Sequence, residues 1–358
     1  MSEIDRYLKE LIESGGSDLH LKVGHPPVFR VHGELKATAN PKLSADDLEE
    51  ITEEIVPTRL IAELEVMGGT DFAYAPEGLG RFRVNVFKQR GMSGIVMRRV
   101  VPAPPVIESL QLPQAVSRLA SEPRGLVLVT GPTGSGKTTT CAAMLNHINT
   151  NRACSIVTLE DPIEILHGDK KALVNQREIG TDTESFRQGL RHAMRQDPDV
   201  IFVGEMRDPE TVWAALAAAE TGHFVLSTLH TTDAVETVNR IVEFFPPERQ
   251  VQVRHSLAGA LKGIICQRLL ARKDGSGRIP AIEVLVANGR VYEAIVTPEL
   301  TRSITDIIEE SEFYGMQTFD QHLLEMYERG LISLEEAMHA STTPHDLQLA
   351  MRKAGVVA

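Results

Sequence analysis

The chain has 358 residues, 42% of them hydrophobic and 24% charged, with a formal net charge of −12. That length suffices for two or three domains with cores of their own, and no apolar run is long enough to cross a bilayer. The acidic balance argues against a protein whose main task is coating nucleic acid, which needs a basic surface, although a local basic channel is compatible with it. Cys141, Cys154 and Cys266 are far apart and in apolar settings. They read as reduced, buried thiols of a cytosolic protein rather than a metal set or a disulfide framework. The opening Met1-Ser-Glu-Ile-Asp-Arg6 carries no signal-peptide pattern.

Residues 1–100 read as a separate α+β domain. Ile4, Leu8, Leu11 and Ile12 share one face of a short helix, and Asp18–Val23 alternates like a strand that Gly24-His-Pro-Pro27 breaks. Ser44 with Asp47 forms a helix-capping pattern. In Arg81-Phe-Arg-Val-Asn-Val-Phe87, Phe82, Val84 and Val86 share one face and Arg81, Arg83 and Asn85 the other, with Arg98 on the next strand-like run. Those arginines fit either a solvated face or a role at a nucleotide held by a neighbouring subunit. Pro102-Ala-Pro-Pro105 is a stiff, extended stretch, so residues 101–115 read as a linker.

The chemistry begins at Gly125. Leu126–Val129 is a buried-strand run, and Gly131-Pro132-Thr133-Gly134-Ser135-Gly136-Lys137-Thr138 matches G-x-x-x-x-G-K-[ST]. The glycines let successive N–H groups turn inward around phosphate oxygens. Lys137 brings a point charge to the β- and γ-phosphates, and the Thr138 hydroxyl is placed for Mg²⁺. Thr139–Asn149 reads as a helix whose N-terminal dipole faces the same anion. Strand, loop and helix in that order define a nucleoside-triphosphate site.

Beyond it, apolar runs alternate with helical patterns, as in an α/β domain with a mainly parallel sheet over residues 116–275. Ser155–Leu159 is a strand with Glu160 at its tip, a candidate for the metal's surroundings. Asp182 or Thr183 is placed to cap a helix running to Gln196, and its Arg187, Arg191 and Arg195 form a stripe that reads as a solvated face. Val200–Val203 is a buried strand followed by Gly204-Glu205. An Asp is common where Gly204 stands, so Glu205 is cast as the group that orients and polarises the attacking water. The alternative, a helix-capping acid, is weakened because Asp208 and Pro209 already read as cap and first helical residue. His223 and His230 flank another apolar strand, and His230 at its tip fits either a structural histidine or one beside the nucleotide. Residues 276–358 read as a strand, Ile279–Val286, followed by a mainly helical extension.

With these residues assembled, the chain resembles the PilT-type ATPases of type IV pilus systems, within the secretion ATPase superfamily. The resemblance rests on Gly16-Ser-Asp-Leu-His20, Gly80-Arg-Phe-Arg-Val-Asn85, Leu159-Glu-Asp-Pro-Ile-Glu164 (similar to the Asp box), Gly204-Glu-Met-Arg-Asp-Pro-Glu210 (an atypical Walker B), Thr221-Gly-His223 to Ser227-Thr-Leu-His230 (the His box) and Gly315-Met-Gln-Thr-Phe-Asp320. It implies a homohexameric ring of subunits, each with a PAS-like N-terminal domain and a RecA-like ATPase domain. It implies ATP and Mg²⁺ as cofactors, held by Gly131 to Thr139 with Thr138 and Glu160 toward the metal. Glu205 would then be the catalytic glutamate, His230 with His223 would sense nucleotide state, and Arg81, Arg83 and Arg98 would approach the phosphates. The implied setting is the cytoplasmic face of the inner membrane, reached through a pilus platform protein, with no nucleic-acid partner. The chain has no CxxC pair, which favours the retraction branch over assembly relatives that carry a zinc module. It departs from that branch at Ser303-Ile-Thr-Asp-Ile-Ile-Glu-Glu310, where retraction motors carry Ala-Ile-Arg-Asn-Leu-Ile-Arg-Glu. The expected function is therefore ATP-driven pilus retraction, with an accessory paralogue or a low-turnover nucleotide-binding regulator as the alternative. A DNA motor and a small-molecule kinase are disfavoured by the charge and by the lack of an acceptor pocket or lid in the pattern.

Overall fold

The computed structural model describes residues 2–101 and 103–357; Met1, Pro102 of the expected linker, and Ala358 lie outside the described residues. The chain divides into two compact units, residues 1–103 with 164–166, and residues 104–163 with 167–358.

The first unit contains α1 (Glu3–Glu13), β1 (Asp18–Lys22), β2 (Val28–Val31), β3 (Glu34–Ala37), α2 (Ala45–Ile55), α3 (Thr58–Met67), β4 (Gly69–Tyr74), β5 (Phe82–Gln89) and β6 (Met92–Arg99). Its six strands form one antiparallel sheet in the order β3-β2-β1-β6-β5-β4. Capping boxes at Ser2/Asp5 and Ser44/Asp47 start α1 and α2, each satisfying two otherwise orphaned backbone donors. The alternation in β5 is real: Phe82, Val84 and Val86 are fully buried in a core that includes Leu8, Leu11 and Leu48. Each such side chain contributes about 1.5–3 kcal/mol of burial.

The second unit is a three-layer α/β domain. Its elements begin with α4 (Gln114–Ala120), β7 (Gly125–Thr130), α5 (Lys137–Asn151), β8 (Ser155–Glu160), β9 (Leu173–Glu178), α6 (Phe186–Ala193) and β10 (Val200–Val203). They continue through α7 (Pro209–Glu220), β11 (Phe224–Leu229), α8 (Ala234–Glu243), α9 (Pro247–Ala260), β12 (Leu261–Ala271) and β13 (Arg278–Val286). The last helices are α10 (Gly289–Val296), α11 (Ile304–Glu309), α12 (Phe319–Glu328), α13 (Leu334–Ala340) and α14 (Pro344–Lys353). The sheet order is β13-β12-β7-β11-β10-β8-β9, parallel apart from the antiparallel edge β13. β7 is buried on both faces: Leu126 and Leu128 join one apolar cluster, Val127 and Val129 the other. That is why it reads as an unbroken apolar run.

Two details differ from the sequence reading. Ser185, not Asp182 or Thr183, caps α6, because the Asp182 carboxylate instead accepts the backbone N–H of Glu178. The boundary at 275/276 falls inside the β12–β13 hairpin, whose strands pair from Gly263↔Val286 to Ala271↔Arg278. Leu323, Met326 and Leu347 of the later helices share a core with Leu126 and Leu128, so residues 276–358 complete the ATPase-type domain rather than extend it.

Candidate nucleotide site

The phosphate loop leaves β7 at Gly131, whose φ is +142°. A Cβ there would lie 2.3 Å from the Gln267 carbonyl oxygen and 2.7 Å from Ser135 Oγ, so only glycine fits. Gly134 and Gly136 take φ values of +79° and +93°. Gly136 begins α5 with no side-chain cap and no acidic residue in the first turn. The free N–H groups and positive dipole end of a 15-residue helix are therefore left for an anion. Ser135 Oγ is buried without a hydrogen-bond partner, an arrangement that a phosphate oxygen satisfies.

Lys137 is buried and donates to the carbonyls of Gly131 (2.7 Å) and Pro132 (3.1 Å). Its Nζ also lies 3.3 Å from His230 Nδ1. An ammonium only donates, so Nδ1 accepts and the ring proton sits on Nε2. That Nε2 is 3.0 Å from Glu205 Oε1, and Arg207 Nη2 is 2.8 Å from Glu205 Oε2. The tips of three parallel strands thus place a continuous chain, Lys137–His230–Glu205–Arg207, at the mouth of the phosphate loop. Burial pushes Lys137 below its ordinary value, with Glu205 opposing it. Burial also pushes Glu205 up, but the hydrogen bonds from Arg207 and His230 and the charge of Arg207 outweigh it and hold the carboxyl below its usual range. Glu205 is an ionised carboxylate with both oxygens engaged.

Glu160 is buried at the tip of β8, where Oε1 accepts from Thr158 Oγ1 (2.6 Å) and Gln176 Nε2 (3.0 Å). Among the described residues no group of three or more His, Cys, Asp or Glu side chains could hold a metal alone. Thr138 and Glu160 carry a hydroxyl and a carboxylate, the oxygen donors that Mg²⁺ accepts alongside phosphate and water.

His223 lies at the opposite end of β11 (Phe224–Leu229) from His230. It sits at the start of β11, beside Gly125 at the start of β7, and its Nδ1 lies 2.9 Å from the Ala218 carbonyl at the end of α7. About six strand residues, roughly 20 Å, separate it from His230, so it does not reach the phosphate loop of its own chain. In the first unit, Arg83 is exposed, Arg81 half-buried, and Arg98 Nε is 2.7 Å from Asp18 Oδ1. Asp18 of the Gly16–His20 motif is buried and also approaches Arg30 at 3.8 Å, so the motif anchors Arg98.

Two features escaped the sequence reading. Gln267, midway along β12, is buried and donates from Nε2 to the Ser135 carbonyl at 2.5 Å, bracing the phosphate loop. A cavity of about 660 Å³ beside the loop is lined by Gln111, Thr139, Gln267, Arg272, Gly277 and Pro280, among others; Arg272 Nη1 meets Gln111 Oε1 at 3.0 Å. A polar residue inside an apolar run was the available signal for Gln267.

Fold and site together define a P-loop nucleotide-binding domain of the RecA-like class. Residues 1–339 match the family model described as type II/IV secretion system protein, and the chain belongs to that family. It is 41% identical, over 96% of its length and 99% of the relative's, to a protein of Pseudomonas aeruginosa named type IV pilus retractation ATPase PilT. It is 38% identical, over 98% of its length and 91% of the relative's, to that organism's type IV pilus ATPase PilU. A crystal structure of the pilus retraction motor PilT with bound ADP superposes with a TM-score of 0.89 at 44% identity, covering 98% of this chain and all of that one. No helix among the described residues is long and apolar enough to cross a membrane.

Proposed function

We propose that this chain is an ATP hydrolase that powers retraction of type IV pili, working as a homohexameric ring with Mg²⁺ and engaging a platform protein at the cytoplasmic face of the inner membrane. The observation that carries the reading is the Lys137–His230–Glu205 chain at the mouth of the phosphate loop. The 41% and 44% identities to proteins named for retraction, one of them bound to ADP, support the biological role.

In this reading the backbone from Gly131 to Thr139 and the Lys137 ammonium hold the β- and γ-phosphates, and Thr138 with Glu160 holds Mg²⁺, which offsets charge on the transferring phosphoryl group. Glu205 orients the attacking water and accepts its proton. His230 fixes the first carboxylate oxygen and, through Nδ1, registers where Lys137 is. Arg81, Arg83 and Arg98 supply positive charge to the nucleotide of a neighbouring subunit. The cavity between Gln111 and Arg272 takes the adenosine portion.

The test is steady-state ATP hydrolysis with oligomer size recorded on the same samples. Wild type turns over as a ring, Glu205→Gln binds ATP but loses about 10²–10⁴-fold in rate, and Lys137→Ala fails to bind. A wild type that forms no ring or has no turnover refutes the motor reading. One observation favours the accessory alternative: Thr305 of the divergent α11 lines a cavity of about 910 Å³ together with Glu205, Arg207 and His230. ATP binding by a ring with negligible turnover in both wild type and Glu205→Gln would select it.

A further inference from the structure

We infer that Arg207 is the positioning residue of the proposed hydrolysis, fixing the second oxygen of the Glu205 carboxylate so that the base keeps one orientation. The inference rests on Glu205 being that base and adds a residue which neither the phosphate-loop pattern nor the strand-tip argument assigns a task. The geometry is specific. Glu205 is gripped from two sides, by His230 on Oε1 at 3.0 Å and by Arg207 on Oε2 at 2.8 Å. With His230 alone, the carboxylate could rotate about its last bond, a soft torsion with broad wells. With both contacts its plane is set, and so is the direction in which a lone pair meets water.

Three observations separate this role from a merely structural one. The Arg207 side chain is 62% exposed, and pairs at that exposure contribute little to stability. The start of α7 does not need it, because Asp208 caps the helix through Thr211 N at 2.7 Å and Thr211 Oγ1 at 2.8 Å. Two other arginines line the same cavity, Arg240 and Arg302, and Arg240 instead stacks over the Phe244 ring at 4.9 Å. An arginine also suits the task better than a lysine, since its planar fork fixes orientation where an ammonium supplies only charge.

The experiment uses the full chain with ATP and a non-hydrolysable ATP analogue. Single-turnover rates are measured for wild type, Arg207→Gln, Arg207→Lys, Glu205→Gln and the Arg207→Gln/Glu205→Gln double variant. Misdirecting a base by an ångström lowers the rate up to about 10²-fold. Arg207→Gln should therefore lower the rate about 10- to 100-fold, with KM and analogue affinity unchanged and the thermal midpoint held. Arg207→Lys should recover part of the loss, and the double variant should be no slower than Glu205→Gln alone, because Arg207 acts only through that carboxylate. Weakened analogue binding, or a further loss in the double variant, would mean that Arg207 contacts the phosphates itself and would overturn the assignment. An Arg207→Gln as fast as wild type would overturn it as well. A wild type with no turnover fails the ATPase reading, and the positioning role falls with it.

Discussion

Gly204 shows how a single position shapes the chemistry. A Cβ there would lie 3.1 Å from the Leu159 carbonyl oxygen, a tight contact that asks β8 to give by a few tenths of an ångström, and 3.5 Å from Glu160 Cα, an ordinary one. The Gly204 N–H donates to Leu159 O at 2.8 Å and its carbonyl accepts from Thr228 Oγ1 at 2.6 Å, so the backbone is pinned between two strands. Gly204→Asp is expected to lower stability by about 1–3 kcal/mol through overpacking and to reduce turnover, read as a lower thermal midpoint and a slower ATPase; a variant as stable as wild type would refute the packing argument. At this scale much of the site was legible, because a phosphate loop is contiguous and its residue types follow from local geometry. Glu205 was legible from its place after an apolar run. Arg207, two residues on, was not: its partner depends on how the chain turns at the strand tip. Gln267 was hidden for a related reason, since the Ser135 carbonyl it braces is 132 residues away.

At the scale of an element, β13 carries two buried ionisable contacts that pull stability in opposite directions with pH. Glu283 on this strand accepts the Ala234 N–H at the start of α8 at 2.9 Å, and His322 Nδ1 of α12 accepts the Ile282 N–H at 2.9 Å. Burial pushes Glu283 up to about 7, with the charge of Asp233 adding to the rise. The folded chain therefore keeps a proton that the unfolded chain releases near 4.5. The stability this confers is complete below that pH and is lost as pH rises through about 7, a swing of roughly 3 kcal/mol. Glu283→Gln should remove the swing: its thermal midpoint relative to wild type rises between pH 5 and pH 8. An equal difference at both pH values would refute this. Burial drives His322 down to about 4, so its contribution is present above about 6.5 and lost as pH falls toward 4. His322→Leu should flatten the acid limb of the stability curve, measured by thermal melts between pH 6.5 and pH 4; an unchanged limb would place the acid sensitivity elsewhere. The strand β13 was read from the sequence, but its neighbour β12 was not. Helix α9 runs into β12 at Ala260-Leu261 without a turn residue, so no local punctuation marks the change, and the pairing that places both strands in the main sheet is set at long range.

At the scale of the whole molecule, each unit has its own core, and the phosphate loop lies in the second. The chain's single tryptophan, Trp213, is on α7 of that unit, edge-on to Phe245 at 6.2 Å with Arg249 over its ring at 4.9 Å. Its fluorescence therefore reports the unfolding of the second unit, whereas circular dichroism reports both. A ligand that binds only the folded state stabilises it by about 2.7 kcal/mol at one hundred times its dissociation constant. For a unit of this size each kcal/mol moves the midpoint by about 2–4 °C. ADP at that concentration should therefore raise the Trp213-reported midpoint by roughly 5–10 °C. Lys137→Ala, which removes the charge at the phosphates, should lose most of that rise at the same ADP concentration. Glu205→Gln should keep it, because Glu205 is assigned to water and not to the nucleotide already bound. A Trp213 transition indifferent to ADP in wild type would remove the nucleotide site from this unit. A rise lost equally in Lys137→Ala and Glu205→Gln would mean that the Lys137–His230–Glu205 chain holds the nucleotide as one piece, and the division of labour between binding and hydrolysis would have to be redrawn.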